Sequence, residues 1–372
     1  MGASVAGLAT ACRLCQHDRR VTVLERRPDL LEGGRAILLQ PNGLEALERL
    51  GALELVRERG LELSRVVFFR ERGRIAAVYD YGELRHPHPY AVEIRPGDLR
   101  SALGDRLAEL GGAPPLLGSE LVGLLRENEA VVGVRYRDNE GREHDLEAGH
   151  TIGADGPGST VREALGIRCR RLGEPVDYVL GTPALPARSR ELAVHCGPGY
   201  ADGVVPLRDG TYFWDCVTAE NRVAVEAGDL DGWREVFARR LPAAAELPRA
   251  VTSWDEVTLV RVRPFWARDV IADGAALAGD AAGAVHPHSA QGANLALEDA
   301  VALGDALAGG ALEHYARSRQ RRRRRYVLWS LLAAGSLDAP SRAWRAVRAS
   351  GFAWNRVGPM RRQLLRRQAG LS

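Results

Sequence analysis

An α/β fold of two interleaved units, followed by a helical C-terminal region, is predicted by three observations. A glycine-rich turn running straight into a helix opens the chain (Met-Gly-Ala-Ser-Val-Ala-Gly-Leu-Ala-Thr-Ala), and a second strand-turn-helix junction recurs late, over residues 273–300. Between them, from 171 to 266, the pattern changes to short β-like runs separated by turn residues, as in an antiparallel sheet. The length of 372 residues implies about two domains, and 45% hydrophobic residues supply a core for each.

In the opening turn Gly2, Ser4 and Gly7 fill the three slots of a G-x-G-x-x-G fingerprint, with Ser4 replacing the glycine that lets backbone approach a pyrophosphate. Residues 21–24 read as a strand ending at Glu25, about 20 residues past the last glycine, where a ribose-binding acid is expected. Such a fold expects a buried strand of roughly five residues before the first glycine. Only Met1 stands there, so a start upstream of Met1 that supplies this first strand is expected.

Gly33-Gly34-Arg35 leads next to a short helix over 43–50, which Asn42 and Glu45 would open as a capping box and Gly51 would stop. Residues 66–69 and 75–79 read as strands joined at Arg72-Gly73, and 90–94 as a third strand before Arg95, which heads the next helix. Strands over 121–125, 131–137 and 150–153 follow, and the last enters Gly153-Ala154-Asp155-Gly156-Pro157-Gly158-Ser159-Thr160-Val161-Arg162. There Asp155 and Ser159 offer oxygens that order the turn, and Arg162 brings a fixed charge near phosphate.

Within the β-rich segment the runs are 178–180, 192–195, 211–217 and 258–262, with one helix near 233–240. His195, Tyr212, Trp214, Phe265 and Trp266 are candidates to line an aromatic pocket. In the late junction an apolar run, 275–278, ends at Gly279-Asp280, and a helix opens near Ser289. Its first amides, around Gln291, Gly292, Ala293 and Asn294, would face an anionic ligand with the positive end of the helix dipole. His286 and His288 flank Pro287 beside this site, and either orients a substrate, accepts a proton or serves as a structural hydrogen-bonding group.

The chain contains no lysine, so all 51 basic residues are Arg, which excludes Schiff-base and P-loop lysine chemistry. A net charge of +3 is too mild and too evenly spread to argue for nucleic acid. Five cysteines, an odd number, favour a reducing, cytoplasmic location. Cys12 and Cys15 form a lone CxxC inside the first helix and read as packing rather than a zinc site. No apolar run is long enough to span a membrane. After Leu307 the chain is Arg-rich, a solvated helical cap or a basic amphipathic surface for weak contact with anionic lipid.

Three runs resemble the FAD-dependent monooxygenases of the para-hydroxybenzoate hydroxylase type: Gly279-Asp280 with Pro287, Gln291-Gly292-Ala293-Asn294 and Glu298-Asp299-Ala300; the run 153–162; and Arg95 with Leu99. The resemblance implies a Rossmann-like FAD-binding domain (1–70, 95–170 and 267–310), a substrate domain (71–94 and 171–266) and a helical Arg-rich region (311–372). It implies that Asp280 binds the ribityl hydroxyls, that residues 291–294 sit under the pyrimidine edge of the flavin, and that Glu25 meets the adenosine ribose. Arg35 would line the flavin, Arg95 would contact FAD, and Asp155 with Gly156 would support its pyrophosphate. As the family works, NADH or NADPH reduces FAD, O2 adds at the C4a carbon, and the resulting hydroperoxide hydroxylates or epoxidises an aromatic, polyketide-like or quinone-precursor substrate, for which His286 is the candidate acid or base. Gly283 stands where hydroxylases usually carry His, which motivates a flavin reductase or oxidase as an alternative. Ser4 and the absent strand motivate a second alternative, a nonredox protein that has lost FAD.

Overall fold

The computed structural model describes residues 1–30, 36–70, 73–187, 189–338, 341–355 and 357–371. The N-terminal helix, Val5–Cys15, forms where the sequence expects it because Ser4 caps it: its hydroxyl accepts from Gly7 N at 3.3 Å and donates to Ala154 O at 2.8 Å. A stripe including Leu8, Ala9 and Cys12 is fully buried against the helix Pro96–Glu109 and the late helix Gly292–Gly309. Cys12 donates to Leu103 O at 3.3 Å and burial pushes its thiol up to about 12, as expected of a packed side chain. Among the described residues no group of His, Cys, Asp or Glu is placed to hold a metal.

Two parallel pairs flank this helix. Leu24–Glu25 pairs with Leu116–Leu117, and Thr151–Gly153 pairs with Ala275–Leu277. Met1 and Gly2 lie between them: the amino terminus donates to Ile152 O at 2.7 Å, Ala154 N donates to Met1 O at 2.8 Å, and Gly2 N donates to Leu24 O at 2.8 Å. The first two residues thus bridge the two pairs through backbone hydrogen bonds without being part of a strand.

The second unit is a seven-stranded sheet in the order Val257–Val262, Val176–Gly181, Gly210–Cys216, Tyr200–Leu207, Leu192–Gly197, Arg65–Arg70, Arg74–Asp80. All pairs are antiparallel except Leu192–Gly197 with Arg65–Arg70. One face packs Val179 and Phe213 against Trp233 and Phe237 of the helix Leu230–Arg240; the other carries Tyr178, Leu180 and Tyr212. Arg65–Arg70, expected with the FAD-binding domain, is hydrogen-bonded into this sheet. Conversely, Ala91–Ile94, expected in the substrate domain, pairs with Ile37–Leu39 and Leu61–Leu63. Hydrogen-bonding partners set these memberships, and strand patterning alone does not reveal them.

The helix expected over 43–50 runs over Pro41–Leu50, with Pro41 in its first turn and Gly51 in the left-handed conformation at its end. Asn42 does not form the expected capping box. Its amide donates to Gln291 Oε1 at 3.0 Å and Glu298 Oε1 at 2.8 Å, so a tertiary contact replaces the local one.

The C-terminal region comprises Leu312–Asp338, Arg342–Trp354 and Gly358–Gln368. It is more than a cap: Phe352, Leu365 and Ala369 are buried in the core under the seven-stranded sheet. On the long helix Arg321, Arg325, Leu328 and Leu332 are exposed at helical spacing, so its basic and apolar side chains share one solvent face. No helix among the described residues is long and apolar enough to cross a membrane.

Candidate functional site

Gly2, Asp155 and Gly279 meet at the N-terminus of the first helix. A Cβ on Gly2 (φ +93°) would lie 2.5 Å from Ala154 O and 3.0 Å from the Asp155 Cα, and one on Gly279 (φ +60°) would lie 2.7 Å from the Ala6 Cβ. A Cβ on Gly7 would collide with Gly2 O. These three positions accept only glycine because three chain segments cross there in contact. Glu25 reaches the same turn, accepting from Ala3 N at 2.8 Å.

In the middle run Asp155 orders the turn as expected, accepting from Ser159 Oγ at 2.5 Å and Val161 N at 3.1 Å, and Ser159 caps the helix Thr160–Ala164. Arg162 is 4% exposed, donates to Ala281 O at 2.9 Å and Pro157 O at 2.8 Å, and lies over the Phe265 ring. Its charge fastens the middle run to the late junction, with two carbonyls and a ring enclosing it.

The late junction is held by Asp299, which accepts from Gly279 N at 3.0 Å and Arg319 Nε at 2.6 Å and also pairs with Arg323. Asp280, next to it, is half-buried and makes no hydrogen bond with any described residue. Burial raises its pKa, and the nearby Arg323 opposes that rise. The late helix opens at Gly292, three residues after a short turn, Pro287–Ser289. The expectation for 291–294 concerns their backbone amides; the side chains of Gln291 and Asn294 serve the scaffold. Asn294 bonds Gln40 N, Leu38 O and Ala290 O, while Gln291 donates to Gln368 O at 2.9 Å. That leaves the helix N-terminus itself, Gly292 and Ala293, facing the cavity.

Gly156 (φ +85°), Gly158 and Gly292 have no atom within 4 Å of where a Cβ would stand. Open glycine backbone at Gly156, Gly158 and Gly292, the Asp280 carboxylate and the N-terminus of the late helix are groups of the kind that suit a nucleotide with phosphates, hydroxyls and an electron-rich ring. Arg35 lies outside the described residues. Arg95 stands at the N-cap of Pro96–Glu109 and pairs with Asp209 at 3.0 Å, tying this unit to the seven-stranded sheet.

Beside this cradle lies a cavity of about 260 Å³ whose walls include Leu38, Val66, Leu180, Tyr212, Trp214 and Leu337. Tyr212 and Trp214 are where the sequence expects them. His195 is not: Leu192 and Val194 line the cavity, and strand alternation turns His195 to the other face, stacked on Phe69 at 4.8 Å. Burial pulls its pKa to about 4. His286 is also outside the wall. Its Nδ1 caps the turn that His288 N closes, its own N–H donates to Ser330 Oγ at 2.9 Å, and burial lowers its pKa to about 4. The cavity histidine is His288, 3.4 Å from Tyr178 Oη. Glu93, Tyr178, Leu337 and Gln368 also line the cavity and were not anticipated. A lone acid in the apolar run Ala91–Ile94 was the one available signal.

Gly283 is set by packing. Its φ is +151°, and a Cβ there would stand 2.7 Å from Phe265 O and 2.8 Å from Arg323 Cδ. The backbone around Gly283 thus leaves no room for a side chain without a shift. Gly283→Ala should cost about 1–3 kcal/mol through overpacking, read as a lowered melting temperature; an unchanged one would contradict this account.

A family model described as an FAD binding domain matches residues 1–327. The 6-methylpretetramide 4-monooxygenase of Streptomyces rimosus is 30% identical over 320 residues, covering 83% of this chain and 74% of that protein. The kynurenine 3-monooxygenase of Salinispora arenicola is 33% identical over 333 residues, covering 82% and 71%. Among solved structures, PqsL of P. aeruginosa in complex with 2-aminobenzoylacetate superposes with a TM-score of 0.78 at 26% identity, covering 91% of this chain and 95% of that one.

Proposed function

This chain belongs to the FAD-dependent monooxygenases of the para-hydroxybenzoate hydroxylase type, and we propose that the ring it oxygenates is uncharged, an aromatic, polyketide-like or quinone-precursor compound. Bound FAD supplies the redox chemistry, passing electrons from NAD(P)H to O2 and one oxygen atom to the ring. The protein's part is to bind, orient and keep water out. Asp280 would accept hydrogen bonds from the ribityl hydroxyls, Gly156 and Gly158 would leave room for the pyrophosphate, and the Gly292 end of the late helix would favour negative charge on the ring by about 0.3–2 kcal/mol.

The observation that carries the substrate reading is the cavity wall. None of its described residues is Arg, and the chain has no Lys. Burial, reinforced by His286, holds the pKa of His288 well below the usual histidine range, so that ring adds no charge. A carboxylate entering this space would lose hydration without gaining a cation from any described wall residue, a cost of several kcal/mol. A neutral ring bearing hydroxyl or keto oxygens loses far less, and Tyr178 with His288 can meet those oxygens.

The test is turnover of neutral naphthols by the FAD-loaded enzyme under isotopically labelled O2 with NADH or NADPH. Labelled hydroxyl in the product supports the proposal. NAD(P)H oxidation that yields only hydrogen peroxide with every neutral ring, while naphthoate is hydroxylated, would sink it.

A further inference from the structure

We propose that Glu93 is a specificity-determining residue, an uncharged carboxylic acid on the cavity wall whose O–H donates a hydrogen bond to a keto or hydroxyl oxygen of the bound ring. The inference rests on the neutral-substrate reading and deepens it. Glu93 lies on the middle strand of the small sheet, between Leu38 and Leu61 in register. Alternation sends Val92 and Ile94 into the core around the N-terminal helix and turns Glu93 the other way, toward the cavity.

There it is 2% exposed, and its Oε2 has no hydrogen-bond partner among the described residues. A buried carboxylate without a cation or donors would be far costlier than a buried acid. Burial accordingly pushes the Glu93 pKa well above the usual carboxylate range. The neutral acid still carries an O–H, and a buried donor left unmade is itself unfavourable. Its partners in register are leucines and the nearby Tyr81 hydroxyl donates to Gln40 Oε1 at 2.6 Å, so no described residue meets Oε2 and the cavity side is where a ligand oxygen can reach it. A ligand oxygen at that point would satisfy the group, and a ligand without one would leave it unpaired. This asymmetry makes a single buried polar group selective, because rejection comes from the unmet hydrogen bond as much as from the bond made.

The probes are tetralin, α-tetralone, which differs from it by one carbonyl oxygen, and naphthoate, each titrated calorimetrically into FAD-loaded protein. Wild type should bind α-tetralone about tenfold more tightly than tetralin, the scale of one buried hydrogen bond. Glu93→Leu should bring that ratio close to one, and Glu93→Gln, whose amide keeps a donor, should largely preserve it. Infrared difference spectra should show a carboxylic acid C=O band that is absent from E93Q and shifts when α-tetralone binds. A ratio unchanged in E93L, with wild type still preferring α-tetralone to naphthoate, overturns the role of Glu93 alone. Naphthoate binding more tightly than α-tetralone overturns the neutral-substrate reading itself. Weakened FAD binding in E93L with an unchanged ratio assigns Glu93 to the cofactor and also overturns the proposal. Should E93L fail to fold, the absence of a ligand-shifted acid band in wild type decides against it.

Discussion

Gly7→Ala is expected to leave a folded protein that no longer retains FAD through gel filtration, with affinity lowered about 100-fold, or about 2.7 kcal/mol. Two effects oppose each other at this position. Alanine in the helix Val5–Cys15 would gain about 1 kcal/mol of helix propensity. Its Cβ, however, would collide with Gly2 O, a backbone atom fixed on both sides by the Met1 and Gly2 hydrogen bonds to Ile152 and Leu24. Overpacking of about 1–3 kcal/mol outweighs the propensity gain, and the turn must open. Opening it shifts Ser4 away from Ala154 and Ala3 away from Glu25, the contacts that hold the first turn against the middle run. Gly104→Ala, where nothing lies within 4 Å, is the control and should bind FAD normally. Equal flavin retention by both variants would show that the crowding at Gly7 does not shape the site.

The glycine junctions were legible in the sequence because their constraint is local: a residue that must lack a Cβ announces itself wherever it stands. The periodicity of the β-rich segment was legible too, and Tyr212 and Trp214 follow from it. What could not be read were facts of pairing. Nothing in residues 192–195 says which face meets the cavity, so His195 was assigned to the wrong side. The strand Glu143–Glu147 was missed because both of its faces are polar or half-exposed and no apolar alternation marks it. Asn42 looked like a local cap and is a long-range clamp, and the side chains of Gln291 and Asn294 are scaffold ties that their place in a ligand-facing run does not announce. Gln368 and Leu337, on the C-terminal helices, reach the cavity only through a docking that no nearby residue forecasts.

The second large effect is expected at Asp299, whose replacement by alanine should destabilise the protein by about 3–5 kcal/mol, lowering the melting temperature by roughly 5 °C. Asp299 is 1% exposed and is the shared acceptor for Gly279 N, Arg319 and Arg323. Removing it leaves the Arg323 guanidinium, itself only 4% exposed, with the Gly283 carbonyl and no hydrogen-bonded acid among the described residues, Asp280 acting on it only from farther off. Arg319 keeps Glu298 at 2.8 Å and suffers less. Because the lost charge is buried, the cost is set by the orphaned cation more than by the bond that disappears. Two further variants separate these contributions. Asp299→Asn keeps an acceptor for Gly279 N and should recover the turn and FAD binding while remaining unstable. Asp299→Ala combined with Arg323→Leu removes both ions together and should be more stable than Asp299→Ala alone. If the double variant is no better than the single, the orphaned-cation account fails, and the role of Asp299 reduces to holding Gly279.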